Sequence, residues 1–502
     1  MSQGLDRWRL PAIVLLGAVW GVSVAAGGLT AFFLCISLLA CGFVLFDFRI
    51  GVVALILVMP LSGSSTLFPH EMFGITGLNP LNVLLAGTFG SYLLHALAGG
   101  GLRDFLPRPL LWLYIVPILA AGAVGSRHIH EIAATLLIYY QGLDFPDPAS
   151  YLQAMVLKPL LMVLFCLLVA AAAARSARPG RFLVPAVISM CVMATAVPVY
   201  VMQSGIALHA LAAADERSFL SALGLHANDL GRLYAIAYAL LLFTWSGARG
   251  AWLRSALLAA AGLSAIALIL TFSRGAFVAL AVVNVLYVVW GRSIRTMIVA
   301  AVLVVAALAL APAAVVERLT TGEGAGLNAI SAGRVNGLWL PLMPDVLRHP
   351  LFGNGIGSIL WSEAMRRGAG AQVLAVTHPH NAYLEALLDT GIVGTVLLCS
   401  YFVHVWRRLR AVARESSVEP LLRGFYLGAA AGLAAMLVSD FTDSSLTPRP
   451  EQAFLWVAIG MMYGEYARRA ALARAQPRAP AASAASRMSA TPRGSPTPQG
   501  AA

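Results

Sequence analysis

The most chemically loaded stretch of the sequence is His378-Pro379-His380-Asn381, followed by Tyr383, Glu385, Gly391 and Gly394. An apolar run opens at Ala382, so a helix is expected to start near Asn381 with His380 at its positive end. That position lowers the imidazole pKa and favours a neutral ring able to accept a proton. The same helix end favours a phosphate nearby. Glu385 lies one helical turn further on, placed to steady the ring or a bound hydroxyl compound. His378 and His380 are too few for a metal site and no carboxylate is spaced to complete one, so no metal is expected.

Three arginines stand out because guanidinium forks suit phosphate oxygens. Arg217 sits in Asp215-Glu216-Arg217, ahead of Asn228 and Asp229. Arg274 sits in Thr271-Phe272-Ser273-Arg274-Gly275, a break between two long apolar runs, and Arg334 follows Ser331-Ala332-Gly333. Each has a plainer reading. Arg217 pairs with Asp215 or Glu216, Arg334 makes a surface salt bridge, and Arg274 snorkels to phospholipid. A turn that needs only a polar residue does not need arginine, which favours a chemical role for Arg274 and its neighbour Ser273. The glycine-rich His349-Pro350-Leu351-Phe352-Gly353-Asn354-Gly355 lacks the strand and helix of a dinucleotide-binding loop. It reads as a compact turn packing its loop onto the rest of the molecule, and no cofactor is expected.

The elements that must position these residues are apolar helices. Of the 502 residues 59% are hydrophobic and 11% charged, whereas soluble domains are about a quarter charged. The chain reads as an all-α, polytopic helical membrane protein with about 12–14 transmembrane helices. The runs are Leu10–Ala26, Leu29–Phe46, Ile50–Leu61, Asn79–Ala98, Pro109–Gly125, Tyr151–Ala174, Phe182–Gln203, Gly231–Trp245, Trp252–Phe272, Ala276–Trp290, Ile294–Ala313, Ala382–Trp406, Leu421–Phe441 and Ala453–Tyr466. Alternate gaps carry Arg49, Arg103 and Arg108, Arg175 to Arg181, Arg249 and Arg254, Arg292 and Arg295, and Arg407 to Arg423. With the N-terminus inside, every one of these gaps is cytoplasmic, as the positive-inside rule requires. Arg217, Arg274 and Arg334 then fall outside, where ionisable groups near membrane level are functional candidates. Lys158 lies within a span.

Three parts are expected: an N-terminal transmembrane bundle over 1–203, a region over 204–466 that includes a long outer loop at 314–381, and a disordered cytoplasmic tail over 467–502. The net charge of +12 is mostly arginine in cytoplasmic gaps, without the basic and aromatic surface pattern of nucleic-acid binders, so no nucleic acid is expected. The five cysteines lie inside apolar runs and read as packing residues.

At these motifs the chain resembles the O-antigen ligase and Wzy-type O-antigen polymerase family. Thr271-Phe272-Ser273-Arg274-Gly275 resembles the family's arginine turn, and His349-Pro350-Leu351-Phe352-Gly353-Asn354-Gly355 its loop motif. His380-Asn381 with Gly391-Ile392-Val393-Gly394 resembles the ligase histidine motif, and Arg217 ahead of Asn228 and Asp229 is a weaker match, since Ala227 replaces the usual proline. The resemblance implies a metal-independent glycosyltransferase of the bacterial inner membrane with its active site in the periplasm. Arg217, Arg274 and Arg334 would bind the donor pyrophosphate and His380 would act on the acceptor, with Asn228, Ser273, His378, Asn381 and Glu385 in support. The partners implied are an undecaprenyl-pyrophosphate-linked glycan, a lipid A–core or glycan acceptor, and membrane lipids.

Such a donor is activated at its anomeric carbon, so catalysis needs cations for the departing pyrophosphate and a base for the acceptor hydroxyl. Direct displacement inverts the anomeric centre. Within the family, a ligase hands the glycan to lipid A–core and a polymerase hands it to the next lipid-linked repeat unit, in O-antigen or exopolysaccharide. A lipid-glycan flippase is the reading from another class, and it expects ionisable residues deep in several spans.

Overall fold

The computed structural model describes residues 3–64, 71–72, 75–99, 105–140, 142–205, 226–291, 333–366, 376–442 and 446–475, with residues 220, 223, 294, 298, 299, 301, 302, 305, 326, 328 and 331. The long helices are α1 (Gln3–Phe46), α2 (Phe48–Val58), α3 (Pro80–Gly99), α4 (Arg108–Gly125), α5 (Pro148–Ala174), α6 (Pro179–Ser204) and α7 (Ala227–Gly247). They continue with α8 (Ala251–Ile269), α9 (Arg274–Gly291), α10 (Leu340–Arg348), α11 (Ala382–Arg414), α12 (Pro420–Ser439) and α13 (Ala453–Ala475). Among the described residues seven helices are long and apolar enough to cross a membrane, and the only strands form a hairpin at Glu71–Met72 and Ile75–Thr76. The protein is an all-α, polytopic membrane protein.

The first two expected spans are one helix, α1, broken at Gly28. The expected span Ile294–Ala313 falls mostly outside the described residues. Helix α13 continues to Ala475, past the expected domain boundary at 466.

Prolines leave a repeated mark. π-helical turns at Leu111–Ile115, Gln153–Leu157 and Val335–Trp339 each run into a helix that carries proline in its first turn, at Pro117, Pro159 and Pro341. Proline has no N–H and clashes with the carbonyl four residues back. A wider turn at that point accommodates both defects without ending the helix.

Helix α7 is the axis of the core, buried continuously from Leu230 to Thr244. It is apolar all round and packed on all sides. Gly424 and Gly428 on α12 face the Phe243 and Ala239 carbonyls of α7 with no room for a Cβ. Gly460 and Gly464 on α13 meet the Cys166 and Ala170 carbonyls of α5 in the same way. Small residues four apart let apolar helices approach to backbone contact, the packing that replaces the hydrophobic effect inside a bilayer.

The arginine-bearing gaps gather at one end of the bundle. Arg49 Nη1 lies 3.5 Å from the Arg175 carbonyl, and the Arg175 guanidinium sits 5.0 Å over the Tyr92 ring. Gly180 faces Glu419, and Gly247 faces Pro420. Arg410 lies over Trp290 at 4.8 Å and Trp406 at 4.6 Å, and Arg469 pairs with Glu415 at 3.6 Å. Helix lengths and contacts therefore put the turn before α9 and the start of α11 at the opposite end.

Candidate active site

The glycine-rich loop fills a break in α11. Gly391 has φ 65 and ψ −172, a conformation that breaks the helix and is open essentially to glycine alone. The loop 350–355 runs into this break and pairs with it. Ile392 N donates to Pro350 O at 2.8 Å and Val393 N to Leu351 O at 3.1 Å. Asn354 N donates to Leu388 O at 2.8 Å and Gly355 N to Asp389 O at 3.0 Å. Backbone groups released by the break thus find partners inside the protein, as they must where water is excluded. A Cβ on Gly391 would collide with the Leu351 carbonyl, and one on Gly353 with the Asp389 carbonyl. The Asp389 carboxylate accepts from Ser358 N at 3.0 Å and Ser358 Oγ at 2.8 Å, which ties the loop to the helix a second time. The loop motif is the compact packing turn its composition suggests, and it holds α11 in place.

At the start of α11, Asn381 is the N-cap, its side chain accepting from Tyr383 N and Leu384 N at 3.1 Å each. Ala382 N donates to the Asp440 carbonyl at 2.9 Å. These amides therefore have protein partners. The field of the helix end remains, and His380 sits within it. His380 is half-buried with φ 52, a strained value for a non-glycine residue. Pro379 before it is fixed by Trp339 Nε1, which donates to its carbonyl at 2.9 Å. The His378 and His380 rings pack edge to face with centroids 4.2 Å apart, and His378 Nδ1 is 3.2 Å from Thr377 Oγ1.

Arg274 is the first residue of α9 and half-buried. The turn before it is built by its own hydroxyls: Thr271 Oγ1 donates to Leu268 O at 2.7 Å, and Ser273 Oγ accepts from Ala276 N at 3.4 Å. Ser273 therefore caps the helix that carries Arg274. The turn packs against the start of α7, where Gly231 leaves room for Ala276 and Thr271.

Arg334, the turn that carries Arg274 and the helix start that follows His380 all pack on Ser439–Thr442, the segment that ends α12. Arg334 Nη1 donates to Thr442 O at 2.9 Å. Gly275, next to Arg274, faces Thr442 Oγ1 and Ser439. The His380 cap is joined to it through the Ala382–Asp440 hydrogen bond, the Tyr383 ring on Phe441 at 4.5 Å, and the Tyr383 hydroxyl donating to Leu437 O at 2.6 Å. Asn228 lies in the first turn of α7, its N–H donating to His226 Nδ1 at 3.3 Å, beside Asp229. Arg217, with Asp215 and Glu216, lies outside the described residues.

Sequence reasoning missed an ionic cluster directly behind this segment. Arg232 pairs with Glu451 at 3.1 Å and Asp440 at 3.4 Å, and the three side chains are 1%, 3% and 0% exposed. Arg449 is half-buried beside them. Burial works against its charge, but Glu385, Glu451 and Asp229 outweigh that and hold its pKa above the usual arginine value. Burial and the neighbouring Asp229 push the Glu451 carboxyl up to about 7, against the pull of Arg232 and Arg449. Glu385 therefore acts in the field of Arg449. The signal was present in the sequence: Arg232 is a charge inside an apolar run, and Arg449 lies in a gap on the same side as Arg274. Among the described residues no group of three or more His, Cys, Asp or Glu side chains is placed to hold a metal ion.

No curated protein matches the chain. Residues 259–399 match the O-antigen ligase family model, and Arg274, Arg334 and His380 lie within the matched stretch.

Proposed function

We propose that the protein moves a glycan from a polyprenyl pyrophosphate to an acceptor sugar at the periplasmic face of the bacterial inner membrane. The observation that carries this reading is the meeting of the Arg274 turn, Arg334 and the His380 cap on the single segment Ser439–Thr442. The gathering of arginine-bearing gaps at the far end supports the orientation, because the positive-inside rule assigns that end to the cytoplasm.

In the proposed reaction the acceptor hydroxyl oxygen attacks the anomeric carbon of the donor. The bond from that carbon to the pyrophosphate breaks, and the pyrophosphate departs with the electron pair. Arg274 and Arg334 supply fixed positive charge where negative charge develops, which favours the transition state over the ground state. Arg217 has the same role on its sequence context alone. His380 takes the acceptor proton at the start of α11. Attack opposite the leaving group inverts the anomeric configuration, and the donor's phosphoester supplies the driving force without a nucleotide.

The test is transfer by the purified protein from a defined polyprenyl-pyrophosphate glycan, with lipid A–core and a second lipid-linked repeat unit offered in turn. Product with inverted linkage, lost in His380→Ala, is expected. Absence of product with both acceptors, or full activity in His380→Ala, would overturn the reading.

A further inference from the structure

Both substrates of the proposed reaction are lipid-anchored, so a second phosphorylated amphiphile must be held beside the donor. A cleft of about 340 Å³ lies between the turn Met59–Gly63, the start of α3, α5 and residues 448–450, within the roughly 300–1,000 Å³ range of small-molecule sites. Its floor is apolar, with Met59, Leu81, Leu85 and Met162, and two cations line it, Lys158 and Arg449. Lys158 is exposed on a helix apolar enough to cross a membrane, just past the π-turn of α5. A lysine in such a segment carries a desolvation cost that an anionic partner removes. Arg449 also lies in the field of Glu385, Glu451 and Asp229, so the cleft borders that charged cluster. Arg274 and Arg334, by contrast, border Ser439–Thr442 and do not line the cleft.

We propose that Lys158 and Arg449 hold the phosphate of the acceptor's lipid anchor, whose hydrocarbon lies along the apolar floor of this cleft. This rests on the glycosyl-transfer reading and assigns it a second lipid site, distinct from the arginines that take the donor pyrophosphate. The chemistry recognised, a phosphate on a hydrocarbon tail, is shared by an isoprenoid phosphate and by lipid A.

The experiment counts lipids bound to the full-length protein in detergent by native mass spectrometry. The probes are undecaprenyl pyrophosphate, lipid A and phosphatidylglycerol, and the proteins are wild type, Lys158→Met, Lys158→Arg and Arg274→Gln. Lys158→Met keeps an unbranched side chain at an exposed apolar position, so folding is retained. Binding of undecaprenyl pyrophosphate or lipid A is expected to weaken about tenfold or more in Lys158→Met, the loss of one charge-assisted contact, and to recover in Lys158→Arg. Lys158-dependent binding of the isoprenoid marks a polymerase-type acceptor, and of lipid A a ligase-type acceptor. If neither lipid depends on Lys158, or phosphatidylglycerol binds there equally well, the proposal is overturned. Arg274→Gln reads the donor site separately: unchanged undecaprenyl pyrophosphate binding in that variant counts against the glycosyl-transfer reading and leaves the Lys158 result to stand or fall alone.

Discussion

Phe272 and His380 share a backbone angle: both have φ 52, and they are the only non-glycine residues with positive φ among the described residues. One immediately precedes the Ser273 cap of the Arg274 helix, and the other immediately precedes the Asn381 cap of α11. Left-handed backbone at a bulky residue costs about 1–3 kcal/mol and persists only where the surroundings enforce it. Each strained residue thus turns the chain sharply into a capped helix at the same end of the bundle. His380→Ala should lower transfer about 10²–10⁴-fold, the usual worth of a general base, while insertion and thermal stability hold. His380→Gly separates the two roles, since it relieves the strain but removes the ring. It should raise thermal stability and still lack activity, and activity near wild type in either variant would remove the imidazole from the chemistry.

Arg274 offers a test of geometry against charge. Lysine in its place keeps the charge but loses the planar fork that engages two phosphate oxygens at once. Arg274→Lys is expected to reduce kcat about 10²-fold, as loss of one transition-state donor does elsewhere. Steady-state kinetics with a lipid-linked donor decide it. An effect confined to KM would mean that the arginine holds ground state and transition state alike.

The Arg232 cluster makes a prediction about stability. Arg232→Met removes the buried cation paired with Asp440 and Glu451, and breaking a buried pair in this way costs about 3–5 kcal/mol. Adding Asp440→Asn and Glu451→Gln to Arg232→Met should recover part of that loss, because the residual charges are then gone. Thermal unfolding in detergent measures both, and a triple variant less stable than Arg232→Met would show that the charges were not the cause.

The helical class was legible because apolar runs of sufficient length have few other fates, and seven of the expected spans coincide with the seven described helices that are long and apolar enough to cross a membrane. Arg274 and His380 stand out in the sequence because each is a charged or titratable residue at the edge of an apolar run, and Arg334 because it is a cation in the long outer loop. Arg232 does not, although it stands inside an apolar run, because its partners Asp440 and Glu451 lie more than two hundred residues away, as the separation of 219 between Arg232 and Glu451 shows. The insertion of the glycine-rich loop into α11 was equally hidden. Gly391 was visible as part of a motif, but the helix break it creates follows from the Leu351 backbone pressed against it, a contact between two segments that local pattern cannot pair. That Asn381 takes the first amides of α11 for itself was not legible either.

That inserted loop gives a direct test. Alanine at Gly391 would require the same φ 65, ψ −172 backbone with a Cβ against Leu351. The backbone term alone is about 1–3 kcal/mol, and the steric term adds to it. Gly391→Ala should therefore lower thermal stability sharply, whereas Gly262→Ala, where nothing lies within 4 Å, should be neutral or mildly stabilising. Equal melting temperatures for the two variants would mean that the break in α11 tolerates a side chain.

Glu451 links the same cluster to pH. Its carboxyl is raised from an ordinary 4.5 to about 7 by burial and by Asp229. A carboxyl with a raised pKa in the folded state favours the fold while protonated. Its contribution is complete below the unfolded value of 4.5 and is lost as pH rises through about 7. Thermal stability of the wild type should thus decline between those limits, and Glu451→Gln, which stays neutral, should flatten that part of the profile. The measurement is unfolding temperature against pH for the two proteins side by side. A parallel decline in Glu451→Gln would assign the titration to another group, and a rise in wild-type stability over the same range would show that the Arg232 pair, rather than burial, governs this carboxyl.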